Sequence, residues 1–541
     1  MSDTEPGQGG PRHRRGPQNR RGRVVVPSVL AGVGLALSLP PWGFWVLAFP
    51  AAALLWWRLG GLRLRARLLA GWCAGIGLFG PGLWWVTTFN TYGGVVLMVL
   101  ESLAPALACA VVPRRAPGRT AVLAGAMVLG EALRSTWPFG GLPIGSVALG
   151  QASGPLAGAA RLGGPLLLVG LIWLGGGGVA IVTTTAVRSL SARSGRGGRG
   201  RDAVLRPALA AVAALVAVAG LGVWGAAAPD GGPGIRTVRI AAVQGGGVRG
   251  LRKAEVDPAT VTAAQYAATK EIAAHDGGRP PTLVLWPEDV VSLQTSIDGT
   301  QAESQLEALA ARLHATLVVG VTETVSSQSF RNEVIAFSPA GRLVARFEKV
   351  HRVPFGEYIP YRGFFKHLAD LSSVPLDAIP GHGNGDLHTP AGPLGVLVSY
   401  EVFYAQRGWV ATRAGAQLLV VPTNTSSYLT SQVPTQEIAA SRIQAVSEGR
   451  DVVQAAPTGF SAVVDHRGRV LARTDLAVRA VIVRDVELRR GRTIYERTGD
   501  LAVLVLSGLL VAAGWLVARR TPVDPDRPGP ARGPRRGPWR A

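Results

Sequence analysis

Three short stretches hold residues able to move protons, hold charge or attack an electrophile. The first is Leu285-Trp-Pro-Glu288, where an apolar run ends at a proline that stops a strand's hydrogen-bond ladder. The carboxylate just beyond it either projects into a cleft or serves as a helix cap or surface acid. The second is Phe347-Glu-Lys349-Val-His-Arg-Val-Pro-Phe-Gly-Glu357-Tyr-Ile-Pro360. A lone lysine at a strand end is usually a solvated charge, yet few surface loops need such dense aromatic, proline and glycine punctuation. The third is Val396-Leu-Val-Ser399-Tyr-Glu401, an apolar strand that breaks off at a hydroxyl and a carboxylate. Such strand-to-helix junctions carry nucleophiles in some enzymes and plain helix caps in others.

The surrounding segment alternates strands and helices. Short β-branched runs at 237–243, 282–286, 317–321, 395–398 and 417–421 predict strands. Amphipathic stretches at 258–274, 301–315 and 435–449 predict helices, with a further helical stretch through Val410 and Arg413. Turn residues at Ser338-Pro-Ala-Gly341 and Asp465-His-Arg-Gly468 predict hairpins. The pattern is that of an α/β layered domain. Gly245-Gly-Gly247 lacks the spacing of a dinucleotide or P-loop site.

On both sides of this domain the composition turns apolar. Runs near 24–40, 43–58, 67–87, 92–113, 119–136, 160–186, 205–227 and 500–518 are about as long as a bilayer requires. Arginines collect after the second run (Arg63, Arg65), the fourth (Arg114, Arg115) and the sixth (Arg193, Arg196), while the alternate loops are nearly free of them. The positive-inside rule then places both termini in the cytoplasm and the α/β domain outside it. The expected organisation is a basic disordered cytoplasmic tail at 1–23, a seven-helix transmembrane domain at 24–227 and an extracytoplasmic domain at 228–499. A transmembrane helix at 500–518 and a second basic, disordered tail at 519–541 complete it. Glu131 and Arg134 fall inside the fifth run, where ionisable residues are either functional or paired with each other.

The formal charge of +22 does not mark a nucleic-acid binder. Residues 228–499 contain 28 Lys and Arg against 26 Asp and Glu, so the excess lies in loops and tails. The two cysteines, Cys73 and Cys109, both fall in apolar runs, so no zinc site or disulfide framework is expected in the α/β domain.

The order Glu288, Lys349, Ser399 resembles the Glu-Lys-Cys constellation of the nitrilase superfamily. Taken with the apolar runs, the chain looks like the membrane-anchored apolipoprotein N-acyltransferase family. Val243-Gln-Gly245, Phe330-Arg-Asn332, Val353-Pro-Phe-Gly-Glu357, Val421-Pro-Thr-Asn424, Glu448-Gly-Arg450 and Pro457-Thr-Gly-Phe-Ser461 are similar to the family pattern. The resemblance implies a multi-span α-helical membrane domain plus an α/β nitrilase-like αββα sandwich. It implies a phospholipid acyl donor, diacylated apolipoproteins as acceptors, no cofactor or metal, and a monomer in the cell membrane. Glu288 would be the general base, Lys349 the oxyanion donor and Glu357 its partner. Tyr400 and Glu401 would shape the pocket, with Phe364 and Phe365 touching lipid. Ser399 stands where the family has its nucleophilic cysteine. Three readings stay open: a base-activated serine nucleophile, a lipid- or lipoprotein-binding paralogue with weak or lost catalysis, and a membrane-anchored amidase.

Overall fold

The computed structural model describes residues 18–114, 118–193, 202–247, 256–367, 370–372 and 374–520; tail positions 1–17 and 521–541 lie outside the described residues. Its first part is helical: α1 (Gln18–Leu37), α2 (Ala48–Arg58), α3 (Leu64–Leu83), α4 (Thr91–Glu101), α5 (Leu103–Ala110), α6 (Arg119–Arg134), α7 (Ala160–Arg193) and α8 (Asp202–Ala227). The fourth apolar run is thus two helices, broken at Ser102 ahead of Pro105. Residues 135–159 form a loop with two 3₁₀ turns, and α7 kinks at Gly163 and Gly164. Helix α1 starts at Gln18, within the stretch expected as tail, because Gln and Arg are good helix formers that extend an apolar helix into its polar flank. Among the described residues, five helical segments are long and apolar enough to cross a membrane, and two shorter apolar helices accompany them.

Small residues set how close these helices come. A Cβ on Gly32 of α1 would fall on the Ala74 carbonyl oxygen of α3, and one on Gly77 of α3 on the Val29 carbonyl oxygen. Glycine at such crossings lets two backbones touch where apolar area gives no drive to associate.

The second part is two facing sheets. The first sheet holds β1 (Arg236–Gln244), β2 (Leu283–Leu285), β3 (Val291–Leu293), β4 (Thr316–Ser326), β5 (Ser329–Phe337), β6 (Leu343–Glu348), β7 (Asp377–Ala378) and β14 (Ala480–Leu488). The second holds β8 (Asp386–Thr389), β9 (Gly392–Val396), β10 (Leu418–Pro422), β11 (Val452–Ala455), β12 (Ala462–Val464) and β13 (Val470–Arg473). Strand order is β14-β1-β2-β4-β5-β6 in the first, with β3 on β4 and β7 on β5, and β13-β12-β11-β10-β9-β8 in the second.

Alternation assigns the layers. Val238, Ile240 and Val318 of one sheet meet Val396, Leu418 and Val453 of the other in one buried cluster. The opposite side chains of the first sheet, such as Ala241 and Leu317, pack under α9 (Pro258–Thr269) and α11 (Gln301–Leu313). Helices α13 (Ala405–Arg413) and α14 (Val433–Glu448) lie on the second sheet, completing the αββα sandwich. Short helices α10 (Ile272–His275), α12 (Arg362–Phe365) and α15 (Ile494–Thr498) fill connections, and α16 (Leu501–Arg520) returns to the helical part against α6. The expected helix at 258–274 is interrupted at Lys270 and Glu271, between α9 and α10. Leu78, Phe79 and Val147 of the helical part share a cluster with Tyr400, Ala439 and Ile443, so the two parts pack through α14.

Replacing Gly32 or Gly77 by alanine forces backbones apart and is expected to cost about 1–3 kcal/mol. Thermal denaturation of the purified protein should show a lowered midpoint for both. Gly80→Ala, with nothing within 4 Å of the added carbon, should leave it unchanged.

Candidate active site

Strand ends deliver the charged groups. Trp286 fixes the end of β2: its backbone N–H donates to Val318 O at 2.8 Å and its indole N–H to Thr269 Oγ1 at 3.0 Å. Glu288 follows at once, and Gly320 of β4 makes room, since a Cβ there would press against the Glu288 backbone. Lys349 comes directly after β6, its N–H bonded to Asn332 O of β5 at 2.9 Å. Glu357 closes the next turn, where Val353 N–H donates to its Oε2 at 2.8 Å.

These pieces meet around one nitrogen. Lys349 Nζ donates to Glu288 Oε1 at 2.9 Å and to Glu357 Oε1 at 2.7 Å. Asn332 Nδ2 donates to the same two oxygens at 2.9 and 3.2 Å. Lys349 is 1% exposed and Glu288 4%. Burial works against the lysine's charge, but the two carboxylates outweigh it and hold the ammonium well above its ordinary range. Burial lifts the Glu288 carboxyl above the usual carboxylate range against the pull of Lys349, and Glu357 adds to the rise.

Ser399 sits just past β9, half-buried, with φ 51°. A non-glycine residue in the left-handed region is strained and persists only where its surroundings enforce it. Glu401 does part of that. Its carboxylate accepts from Val398 N–H at 2.9 Å, Val350 N–H at 2.9 Å and His351 N–H at 3.0 Å. It therefore ties the residue before Ser399 to the residues after Lys349. Burial alone would raise its pKa, yet His351, Arg407 and the backbone donors hold it below the usual range.

The structure thus brings Glu288, Lys349 and Glu357 into direct contact, and Glu401 links the residue before Ser399 to the two residues after Lys349. Tyr400 and Glu401, expected to shape the pocket, turn their polar atoms to backbone groups of the protein. Glu401 is fully buried and spends its oxygens on backbone donors, and the Tyr400 hydroxyl donates to Gly141 O at 2.9 Å. Both act inside the protein, because a carboxylate next to three unpaired N–H groups satisfies them better than water could. Phe364 is 62% exposed and Phe365 half-buried, in an aromatic group with Phe355 and Phe139 apart from the charged cluster.

Three neighbours escaped the sequence reading as site residues. Asn332 was visible only within Phe330-Arg-Asn332. Glu437 of α14 is buried, accepts from Thr423 Oγ1 and Gln454 Nε2, and has its carboxyl pushed by burial up to about 8 in the field of Glu288 and Lys349. Tyr428, its hydroxyl pushed by burial up to about 12, lies near the same charges and meets Trp85 of the helical part with ring centroids 5.0 Å apart. Nothing in the motifs marks the last two, since both reach the site from α14 and the segment before it.

Two known family patterns match the chain. One, described as the apolipoprotein N-acyltransferase N-terminal domain, covers residues 31–178, and the other, carbon-nitrogen hydrolase, covers residues 239–495. The apolipoprotein N-acyltransferase of Mycolicibacterium smegmatis is 33% identical over 530 residues, covering 92% of this chain and 87% of that one. That of Geobacter metallireducens is 29% identical over 519 residues, covering 92% and 96%. Among solved structures, Saccharomyces cerevisiae Nit3, a member of branch 10 of the nitrilase superfamily, aligns at 20% identity with a TM-score of 0.35. The alignment covers 47% of this chain and 90% of that one.

Lys349→Met leaves Glu288 buried beside Glu357 with no cation. Breaking a buried pair this way costs about 3–5 kcal/mol. The cost depends on pH with a definite sign: Glu288 already titrates above its unfolded value, and losing the ammonium raises it further. A raised acid favours the folded state at low pH and loses that contribution as pH rises through its folded pKa. The melting temperature of Lys349→Met should therefore fall more between pH 5 and pH 8 than the parent's. Adding Glu288→Gln should remove most of that extra slope.

Proposed function

The chain belongs to the apolipoprotein N-acyltransferase family, and we propose that it carries an acyl chain from a phospholipid to the N-terminal amine of the diacylglyceryl-cysteine of apolipoproteins through an ester on Ser399. The observation that carries this reading is the Lys349 ammonium shared by Glu288 and Glu357, with the backbone after Lys349 tied by Glu401 to the residue before Ser399.

In the first step Ser399 Oγ attacks the donor's ester carbonyl while Glu288 takes the hydroxyl proton. Two of the lysine's three N–H bonds go to carboxylates, and the third is available to the developing oxyanion. The carbon–oxygen bond to the glycerol breaks, and the lysophospholipid leaves with the proton that Glu288 returns. In the second step the acceptor amine attacks the acyl ester, Glu288 takes its proton, and Ser399 Oγ leaves carrying a proton again. Among the described residues Ser399 Oγ has no hydrogen-bond partner, which suits a hydroxyl that bonds to its base only when substrate is in place.

The membrane placement belongs to the same reading. Segments 24–227 and 500–518 span the bilayer with both termini cytoplasmic, and the αββα domain stands outside the cytoplasm. The exposed aromatics Phe355, Tyr361 and Phe364 support lipid contact at the rim formed by Phe364 and Phe365, as aromatic side chains favour the membrane interface. A reporter fused after Pro233 should read as extracytoplasmic and one after Arg520 as cytoplasmic. Both on one side would overturn the placement.

The nucleophile is tested by intact mass and by N-acylation of a lipoprotein substrate. Ser399→Ala, Glu288→Gln and Lys349→Ala should each abolish transfer, since members of one catalytic unit fail together. Ser399→Cys should retain or raise it, and the parent should gain one acyl mass at Ser399 after incubation with phospholipid. Full activity of Ser399→Ala would exclude serine as nucleophile. An inactive parent rescued by Ser399→Cys would identify a binding paralogue. Phe364→Ser with Phe365→Ser should slow turnover of vesicle-borne donor.

A further inference from the structure

A loop of the helical part reaches the residues that flank the site. Three tyrosine hydroxyls of the αββα domain end on three consecutive carbonyls there. Tyr358 OH donates to Phe139 O at 2.9 Å, and Tyr404 OH to Gly140 O at 3.2 Å and to Gly141 O at 3.0 Å. Tyr400 OH donates to Gly141 O at 2.9 Å. Tyr358 follows Glu357 in the chain, and Tyr400 follows Ser399. Gly141 takes φ 85°, and a Cβ there would strike the Ser135 backbone, so only glycine can turn this carbonyl toward the tyrosines.

The other side of the loop is held by one guanidinium. Arg134, at the end of α6 and 3% exposed, donates through Nη1 to Leu142 O and to Ile144 O, the latter at 3.0 Å. Its charge is balanced by Glu131, bonded through Nε and Nη2 at 3.1 and 2.7 Å, and by Glu101 of α4 at 3.1 Å. A planar fork with five donors can serve two carboxylates and two carbonyls at once, which an ammonium on a flexible stem cannot. Glu131 and Arg134 are thus an ion pair, as one reading of the sequence had it, with a partner 33 residues upstream that the sequence did not indicate.

We propose that the 139–145 loop is a positioning element of the acyl-transfer site, with Arg134 fixing the loop and the loop holding Ser399 and Glu357 in register through Tyr400 and Tyr358. Ser399 carries backbone strain, which needs restraint on both sides. Glu401 restrains the Val398 side, and the Tyr400 hydroxyl restrains the other. Arg134, Tyr358 and Tyr400 are positioning residues: they act on the reacting groups through the backbone and need no contact with lipid. The proposal rests on Ser399 as the attacking group.

The test uses the full-length protein in detergent, with phospholipid donor and a lipoprotein acceptor. Tyr400→Phe keeps the ring and removes only the hydroxyl; Arg134→Lys keeps the charge and loses the fork. Each should lower kcat about tenfold, the effect of a barrier raised by roughly one hydrogen bond. The donor KM should stay within about twofold; the melting midpoint of Tyr400→Phe should stay near the parent's, while that of Arg134→Lys should fall, so its kcat is compared at equal folded fraction. A second readout is the rate at which iodoacetamide alkylates the thiol introduced by Ser399→Cys, mapped by mass to position 399. Adding Tyr400→Phe should slow it severalfold. Unchanged kcat and unchanged alkylation would overturn the proposal, as would a kcat that falls only in proportion to the folded fraction. If the parent forms no acyl adduct, the Ser399 reading fails by itself, while the alkylation rate still reports whether the loop positions residue 399.

Discussion

A lysine ammonium buried away from water is the constraint that orders this site. An unpaired charge in that position costs several kcal/mol, so the fold must bring opposite charges to it. Glu288 arrives from the end of β2 and Glu357 from the turn after β6, and Asn332 of β5 donates to the same two oxygens. The sheet therefore fixes all the partners within hydrogen-bond reach before any substrate is present. The proposed base and oxyanion donor would then need little reorganisation, as acyl transfer requires.

The first sheet alone does not complete the site. Ser399 belongs to the second sheet, and its link to the first is the Glu401 carboxylate, which spans the Val398 N–H on one side and the Val350 and His351 N–H groups on the other. Removing that carboxylate would leave three buried donors without an acceptor, so stability and site geometry rest on one group. The helical part adds a further restraint through the glycine carbonyls that receive Tyr400 and Tyr404.

Much of this was legible in the residues. Alternating short β-branched runs and amphipathic stretches pointed to an α/β layered domain, the family resemblance implied its αββα sandwich, and the apolar runs marked the helices. Glu288, Lys349, Glu357 and Ser399 stood out because each follows an apolar strand or a punctuated turn. What was not legible has a common cause: a side chain's chemistry is visible in sequence, whereas its direction is not. Glu401 looks the same whether it faces a ligand or three backbone donors. Glu437, Tyr428 and Glu101 are isolated in sequence and acquire meaning only when α14 or α4 is packed beside its partner. The limits of α1 moved because helix propensity carries a helix past its apolar stretch.

A hydroxyl in the proposed nucleophile position makes the strength of Glu288 decisive. A thiol is partly ionised near neutral pH and needs little help, whereas a hydroxyl must lose its proton during attack. Burial raises the basicity of Glu288 and Lys349 lowers it, so the two effects compete at one carboxylate. The net shift is upward, so in the proposed mechanism Glu288 is a stronger base than an exposed glutamate while Lys349 keeps its charge. The dense packing around Trp286, Gly320 and Asn332 belongs to that proposal, because it sets how far burial pushes Glu288 while Lys349 is held against it.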